Sequence, residues 1–171
     1  MRPTRLRRRL LRTLGAAGLL VVPAAALLLR PTARAARSYA VSHTDQQWQA
    51  LLSPEQYRVL RRAGTEPAYS SALDRQKEAG VFGCVGCTSA LFSSSTKFDS
   101  GTGWPSFWKP LTGAVEQAED RSFGIRRDEV LCSRCGGHLG HVFDDGPEPT
   151  GLRYCINGVA LTFTPGRAPP A

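Results

Sequence analysis

Short apolar and aromatic stretches recur along the chain beyond residue 80, and Gly, Ser, Asp or Pro separates each stretch from the next. Stretches of this kind between turn-forming residues are typical of β-strands joined by tight turns. The pattern therefore predicts a compact, mostly antiparallel β fold. The stretches that carry this prediction are residues 81–82, 91–92, 130–131, 141–143 and 159–163.

A helix is predicted before the first of these stretches. Ser53 fits the N-cap, Pro54 fits the first helical position, and Gln56 completes a capping box. The helix is expected to continue through residues 57–60 and to end near Gly64.

The first 35 residues follow a different pattern. Residues 1–13 are rich in arginine, residues 14–29 form an apolar run, and residues 33–35 are Ala-Arg-Ala. This is the three-part layout of an export signal, and the run is short for a membrane span, which needs about 20 residues. Arg7 and Arg8 lie in a segment that resembles a twin-arginine signal. We expect export to a bacterial periplasm, with an uncleaved membrane anchor or an organelle transit peptide as alternatives.

The charge distribution separates the leader, residues 1–35, from the rest of the chain. The formal net charge is +8, and eight arginines but no acidic residue precede residue 36. The remaining 14 basic residues balance 14 acidic ones, so the folded part lacks the basic surface that nucleic acid requires. We expect a monomer without a nucleic-acid partner, built from a polar linker (36–44), one domain (45–165) and a loose tail (166–171).

Four of the five cysteines form two C-x-x-C pairs. Each such turn brings two thiolates together, and two turns complete a tetrahedral sulfur site suited to one structural zinc ion. Two disulfides or two thioredoxin-like redox motifs are the alternatives, although neither pair opens a helix within a βαβ pattern. The predicted zinc ligands are Cys84, Cys87, Cys132 and Cys135.

Cys155 is the unpaired cysteine. Arg153 lies two residues before it, on the same face if this segment is a strand, and a nearby guanidinium lowers the pKa of a thiol. His138 and His141 precede Cys155 in a glycine-rich segment and are candidates for acid–base chemistry. A buried, inert thiol is the alternative for Cys155.

Three segments resemble the peptide-methionine (R)-S-oxide reductases, the B type of methionine sulfoxide reductase. They are residues 91–107, which include Gly-Thr-Gly-Trp-Pro-Ser-Phe, residues 132–143, which read Cys-x-x-Cys-Gly-x-His-Leu-Gly-His-Val-Phe, and residues 153–157, Arg-Tyr-Cys-Ile-Asn. The resemblance extends from about Trp48 to Phe163. It implies two antiparallel β-sheets with short peripheral helices, pinned by a four-cysteine zinc site. It also implies reduction of the R epimer of methionine sulfoxide in proteins and peptides.

The resemblance further implies roles for individual residues. Cys155 matches the nucleophile that attacks the sulfoxide sulfur, and His141 matches the general acid that protonates the departing oxygen. Asn157 matches a supporting catalytic position, and His138 matches a position at the same pocket. Trp104 matches the aromatic residue that packs on the ε-methyl group of the substrate. The other substrate-binding positions implied are Phe143, Asp145 and Arg153, of which the last two shape the pocket electrostatically.

Thr102 stands where many members of that family carry a resolving cysteine. The resemblance then implies that a sulfenic acid on Cys155 is reduced by an external thiol, such as that of a thioredoxin-like protein. Two other functions remain open. One is a non-catalytic zinc-binding module that recognises peptides on the same scaffold, and the other is a thiol–disulfide oxidoreductase that uses the C-x-x-C pairs.

Overall fold

Nine strands form two antiparallel sheets in the computed structural model, which describes residues 38–121, 124 and 126–170. The prediction of a mainly β fold with two antiparallel sheets is confirmed. The strands are β1 (Gly80–Cys84), β2 (Ala90–Ser93), β3 (Lys97–Phe98), β4 (Ser106–Phe107), β5 (Val115–Asp120), β6 (Arg127–Cys132), β7 (His138–Phe143), β8 (Arg153–Ile156) and β9 (Leu161–Pro165).

The larger sheet has the strand order β3-β4-β8-β7-β6-β5, and the smaller sheet has the order β2-β1-β9. Strand β8 therefore lies inside the larger sheet, between β4 and β7. Its register places Cys155 opposite Ser106 of β4 and opposite His141 of β7. Because opposite residues of antiparallel strands share a face, this register brings the three side chains to the same face of the sheet.

Three phenylalanines join the two sheets. Phe82 of β1, Phe92 of β2 and Phe107 of β4 are fully buried. The Phe107 ring stacks on Phe92 with centroids 4.3 Å apart and meets Phe82 edge-on at 4.9 Å. Each such ring pair adds about 0.5–1.5 kcal/mol beyond the burial of apolar area. The aromatic cluster thus fixes the smaller sheet against the strand that adjoins β8.

Helix α2 (Pro54–Arg62) begins where it is predicted to begin. The side chain of Ser53 accepts a hydrogen bond from the Gln56 N–H, and the Gln56 side chain accepts one from the Ser53 N–H at 2.9 Å. The helix ends at Ala63, which takes a left-handed φ of 52°, directly before the predicted stop at Gly64. A capping box of this kind satisfies two backbone donors that the first turn would otherwise leave unpaired.

Helix α1 (Asp45–Leu51) is an element that the apolar pattern misses, because Trp48 is its only buried residue. Its start is still encoded locally, since Thr44 and Gln47 form a second capping box. The helix therefore depends on its cap and on one aromatic contact rather than on an apolar stripe.

The segment before α1 packs against the second C-x-x-C turn. The Val41 N–H donates to the carbonyl oxygen of Arg134 at 2.9 Å, and the Tyr39 ring lies directly against Gly136. Gly136 has a φ of 65°, which favours glycine, and a Cβ here would also meet the Tyr39 ring. The described part of the predicted linker, residues 38–44, is therefore in contact with the domain.

No helix within the described residues is long and apolar enough to cross a membrane. The predicted export signal at residues 1–35 lies outside the described part of the chain. Residues 166–170, which are the described part of the predicted tail, contain no helix or strand.

Candidate active site and metal centre

The four predicted metal ligands meet at the junction of the two sheets. Cys84 ends β1 and Cys132 ends β6, while Cys87 and Cys135 lie in the turns that follow those strands. All four Sγ atoms lie within 4.8 Å of one another. The shortest distances run between the two pairs, 3.7 Å from Cys84 to Cys135 and 3.5 Å from Cys87 to Cys132.

These distances fit a tetrahedral metal site better than two disulfides. A zinc ion with Zn–S bonds of about 2.3 Å would hold its sulfurs about 3.8 Å apart. A disulfide needs sulfurs about 2.05 Å apart, and all five cysteines are free. The four-cysteine cluster can therefore hold a metal ion, as expected from the two C-x-x-C pairs.

Protons are shared unevenly among the four thiols. Hydrogen bonds with Cys132 raise the pKa values of Cys84 and Cys135 and lower that of Cys87. Hydrogen bonds with Cys135 lower the pKa of Cys132 to about 7. Neighbouring buried thiolates repel one another, so the cluster does not ionise completely by itself. A divalent cation would stabilise all four thiolates, which is the chemistry that this donor set favours.

A cavity of about 150 Å³ opens beside β8. It brings together five of the eight predicted catalytic and substrate-binding residues, namely Trp104, His141, Phe143, Cys155 and Asn157. Its other lining residues are Thr65, Arg127 and Gly140. His138, Asp145 and Arg153 are not among the lining residues.

Cys155 is half-buried in this cavity, with its Sγ 3.9 Å from the Thr102 hydroxyl. Burial raises the pKa of the Cys155 thiol, while the Thr102 hydroxyl and the Arg153 guanidinium act in the opposite direction. The segment is a strand, so Arg153 and Cys155 do share a face, and the expected effect of the arginine is present. Burial nevertheless outweighs it, and the thiol form is favoured at neutral pH.

His141 faces a carboxylate. Its Nε2 lies 2.9 Å from Asp120 Oδ2, and the same oxygen accepts from Arg127 Nη2 at 2.7 Å. Burial lowers the pKa of His141, and the hydrogen bond with Asp120 only partly opposes this effect. The imidazole is therefore mainly neutral at neutral pH. In that state Nε2–H donates to the carboxylate, which leaves Nδ1 with the lone pair.

His138 lies next to His141 and is not among the cavity-lining residues. It is 1% exposed, its Nδ1 is 2.7 Å from Glu129 Oε1, and its ring meets the His141 ring edge-on at 5.4 Å. A β-bulge in β7 interrupts the alternation of faces, so His138, opposite Leu131, lies on the same face as His141, opposite Glu129. His138 therefore contacts His141 from the same face of the sheet and is placed to support its position.

Arg153 and Asp145 fix one wall of the cavity from outside. The guanidinium donates two hydrogen bonds of 2.8 Å to the two Asp145 carboxylate oxygens, and this pairing lowers the pKa of Asp145. The same guanidinium lies over the Phe143 ring, 4.4 Å from its centroid. The two-bond pairing with Asp145 fixes the guanidinium, and its cation–π contact then holds the Phe143 ring at the cavity edge.

Glu66 is a buried carboxylate that the sequence patterns do not single out. Its side chain accepts hydrogen bonds from the N–H groups of Gly158 and Val159, just beyond β8. Its backbone N–H donates to Asn157 Oδ1 at 2.9 Å, and its carbonyl accepts from Trp104 Nε1 at 3.2 Å. Glu66 therefore fixes two cavity residues at once. Burial raises its pKa.

Asn157 is also occupied by structural hydrogen bonds. Its Nδ2 donates to the carbonyl oxygen of Leu139 at 3.0 Å, while its Oδ1 accepts the Glu66 N–H. The amide lines the cavity but is already bonded on both sides. Its placement suits a residue that orders the end of β8 next to Cys155.

Four residues at or near the cavity are absent from the sequence-based predictions: Thr65, Glu66, Asp120 and Arg127. Thr65 and Glu66 follow α2 in a loop, and an isolated residue in a loop carries no periodic signal. Asp120 and Arg127 lie at the paired ends of β5 and β6. A polar strand such as β5 gives no apolar alternation from which its pairing could be read.

Comparisons with known proteins agree with this geometry. The SelR domain model matches residues 52–165. Three curated relatives, each called "Peptide methionine sulfoxide reductase MsrB", come from Leptospira interrogans, Thiobacillus denitrificans and Methanosarcina mazei. The first is 54% identical over 74% of this chain and 97% of its own length. The second is 57% identical over 71% and 93%, and the third is 54% identical over 72% and 89%. The chain therefore belongs to the SelR-domain family, the MsrB type of peptide methionine sulfoxide reductase.

Proposed function

We propose that this chain reduces the R epimer of methionine sulfoxide in oxidised proteins and peptides, with Cys155 as the nucleophile. The observation that carries this proposal is the cavity of about 150 Å³ that Cys155, His141 and Trp104 all line. A thiol, an imidazole and an aromatic wall supply the nucleophile, the proton donor and the apolar surface that the reaction needs. Membership of the family supports the reaction class.

In the proposed reaction the Cys155 sulfur bonds to the sulfoxide sulfur and the S–O bond breaks. The hydroxide that leaves then attacks the Cys155 sulfur, and the bond between the two sulfur atoms breaks, which releases methionine. The Cys155 sulfur is oxidised by two electrons to a sulfenic acid, and the sulfoxide is reduced by two electrons to methionine. His141 receives the thiol proton and delivers it to the departing oxygen. That proton ends on the sulfenic acid, so the step consumes no proton from solvent.

The aromatic wall supports selectivity for the R epimer. Trp104 and Phe143 line the cavity, and both are held in place, Trp104 by its bond to Glu66 and Phe143 by the guanidinium above it. A methyl group packs well on such a surface, whereas a polar sulfoxide oxygen there would lose hydrogen bonds. The S epimer would exchange the positions of these two groups.

External recycling is proposed for the sulfenic acid. The other four cysteines meet in the metal cluster, and the side chain nearest to a resolving position, Thr102, has a hydroxyl 3.9 Å from Cys155 Sγ. A first external thiol would displace water to give a mixed disulfide with Cys155. A second thiol would then release Cys155 as a thiol together with an external disulfide. A thioredoxin-like dithiol supplies both.

One structural zinc ion is proposed for the four-cysteine cluster. When bound, zinc would hold the thiolates of Cys84, Cys87, Cys132 and Cys135 and would tie β1 to the β6–β7 turn. All four positions of a tetrahedral ion would be filled by protein sulfur, so no position would be open to substrate. This supports a role in folding, with catalysis left to Cys155.

Export by the twin-arginine route is proposed from the first 35 residues. That route carries folded proteins, so zinc could be loaded in a reducing cytoplasm before the thiols reach an oxidising compartment. Replacing Arg7 and Arg8 with lysines should retain the protein inside the cell, and continued export of that variant would contradict the proposal.

Activity on separated dabsylated R and S epimers, with dithiothreitol and then with thioredoxin, tests the proposed function. The wild-type protein should reduce only the R epimer, and Cys155→Ser should abolish the reaction while keeping the same zinc content. A matched control is Cys132→Ser, which should instead lose zinc. If Cys155→Ser keeps full activity, or if the S epimer is reduced equally well, the proposal fails. A zinc-binding peptide-recognition module would bind oxidised peptide without turnover in both proteins.

A further inference from the structure

Three hydroxyl groups form a continuous line that ends at the Cys155 sulfur. Ser106 Oγ lies 2.7 Å from Ser100 Oγ, and Ser100 Oγ lies 2.8 Å from Thr102 Oγ1. Thr102 Oγ1 is in turn 3.9 Å from Cys155 Sγ. At the far end, Ser106 is fully buried and its hydroxyl donates to the carbonyl oxygen of Trp104 at 3.0 Å.

Counting protons assigns a direction to every bond in this line. A hydroxyl has a single proton to donate, and a carbonyl oxygen can only accept. Because Ser106 donates to Trp104, Ser100 must donate to Ser106, and Thr102 must then donate to Ser100. The hydroxyl of Thr102 has no second proton, so the Cys155 thiol must donate to Thr102. With all four bonds formed together, the arrangement is therefore that of a neutral thiol.

A thiolate requires the opposite direction, because it can accept hydrogen bonds but cannot donate one. Thr102 would then donate to the sulfur, Ser100 to Thr102 and Ser106 to Ser100. Each step is a rotation of an O–H bond and moves no heavy atom. The carbonyl oxygen of Trp104 would lose the hydrogen bond from Ser106.

We propose that the Ser106–Ser100–Thr102 hydroxyl chain is a reversible relay of dipoles that stabilises the Cys155 thiolate during catalysis. Thr102 touches the reacting sulfur, and Ser100 and Ser106 are positioning residues that act through it. The inference rests on the proposed function, in which Cys155 is the nucleophile. It assigns a role to the threonine that stands at the resolving position.

The relay orients dipoles and does not carry the thiol proton away. The Trp104 carbonyl at its end cannot keep a proton, so the proton must leave by the other side of the sulfur, toward His141 and the sulfoxide oxygen. The Thr102 side of Cys155 thus supplies a hydrogen bond to the thiolate, and the His141 side accepts the proton. Hydrogen bonds to an ionised group are about twice as strong as neutral ones, and bonds in a chain polarise one another. Burial raises the pKa of this thiol, and the Thr102 hydroxyl is the first of the groups that oppose it.

The test measures how fast iodoacetamide alkylates Cys155 as a function of pH, by mass spectrometry of the Cys155 peptide from zinc-loaded protein. Thr102→Val keeps the shape of the side chain but removes the hydroxyl. It should raise the midpoint, the pH at which the alkylation rate is half of its maximum, by about one pH unit. Below the midpoint, alkylation should then be about tenfold slower than in the wild-type protein. Thr102→Ser should restore the wild-type midpoint. Ser100→Ala should shift it upward by a smaller amount, because the chain behind Thr102 is shortened.

The exposed Thr164→Val on β9 is the matched control and should leave the midpoint unchanged. A wild-type midpoint in Thr102→Val, or an equal shift in Thr102→Ser, would overturn the role of the Thr102 hydroxyl. An unchanged midpoint in Ser100→Ala would contradict the claim that Ser100 and Ser106 act on Cys155 through Thr102. Alkylation requires no turnover, so an absence of reductase activity in the wild-type protein would refute the proposed function separately.

Discussion

Two titratable side chains in the cavity have pKa values shifted in opposite directions. Burial raises the pKa of the Cys155 thiol and lowers that of the His141 imidazole. The neutral pair, thiol with imidazole, is therefore the main form near neutral pH. The thiolate–imidazolium pair that the proposed reaction uses contains the same number of protons. Its fraction is therefore constant between the two pKa values.

This proton count predicts a bell-shaped dependence of kcat/KM on pH with a broad plateau. The acid limb should lie below about pH 6.5, the ordinary imidazole pKa, because a second proton then removes the thiolate. The alkaline limb should lie above about pH 8.5, the ordinary thiol pKa, because the imidazolium is then lost. His141→Asn should lower kcat/KM by about 10²- to 10⁴-fold and remove the acid limb. A wild-type profile that only rises with pH would contradict the assignment.

The residues that the sequence could identify are those within long specific segments. Cys155 and His141 fall in such segments, and β8 and β7 bring them opposite each other. The contact of His138 with Glu129 could not be read from the sequence, because it depends on the bulged pairing of β6 with β7. The hydroxyl chain was likewise hidden, since serine and threonine are common in turns.

Elements were predictable where a periodic pattern or a cap marks them. α2 has its capping box and Pro54, whereas β5 has four polar residues, only two small apolar ones and no buried position, and therefore carries no regular apolar signal. The turn after β8 is organised by Glu66, from a distant part of the chain. A contact between residues about ninety positions apart has no local signature in a single sequence.

Glu66→Gln tests this anchoring of the turn after β8. The amide can accept at one oxygen only, so the N–H of Gly158 or Val159 loses its partner, which costs about 1–3 kcal/mol. The net loss of stability should lie at the low end, because the substitution also removes a buried charge whose burial raises the pKa of Glu66. The KM for the R-sulfoxide should rise severalfold because Trp104 is less firmly held.

Thermal unfolding measures the loss of stability in Glu66→Gln and steady-state kinetics measures the rise in KM, with the exposed Glu78→Gln as the matched control. The pKa of Glu66 is higher in the folded than in the unfolded state. The contribution of Glu66 to the free energy of unfolding is therefore fully present below the unfolded pKa of about 4.3 and is lost as pH rises through the folded pKa. The variant should therefore lose less stability at neutral pH than at pH 4. The opposite order would contradict the buried-carboxylate assignment.

At the scale of the whole molecule, two connections hold the sheets together. One is the aromatic cluster of Phe82, Phe92 and Phe107, and the other is the four-cysteine cluster between β1 and the β6–β7 turn. α2 adds a cover over the second connection, since Leu60 is fully buried against Gly86 and Gly137. The placement of the metal cluster away from the cavity fits a role in stability.

Removal of the proposed zinc ion should unfold the domain or leave it without fixed tertiary structure. Apparent zinc-binding energies of about 10–16 kcal/mol in zinc-finger peptides equal or exceed the stability of a typical domain, about 5–15 kcal/mol. Chelation should lower the Tm and abolish the near-UV circular dichroism, and added zinc should restore both. Cys155→Ser should respond identically to chelation. A metal-free protein with an unchanged Tm would exclude a structural role for the ion.

The most direct measurement is the intact mass of the zinc-loaded protein after one equivalent of a peptide methionine-R-sulfoxide, with no reductant present. If Cys155 is the only redox-active thiol, the mass should increase by one oxygen atom. This increase should disappear on addition of thiol and should not occur in Cys155→Ser. A loss of two hydrogen atoms would instead show an intramolecular disulfide and would contradict recycling by an external thiol alone.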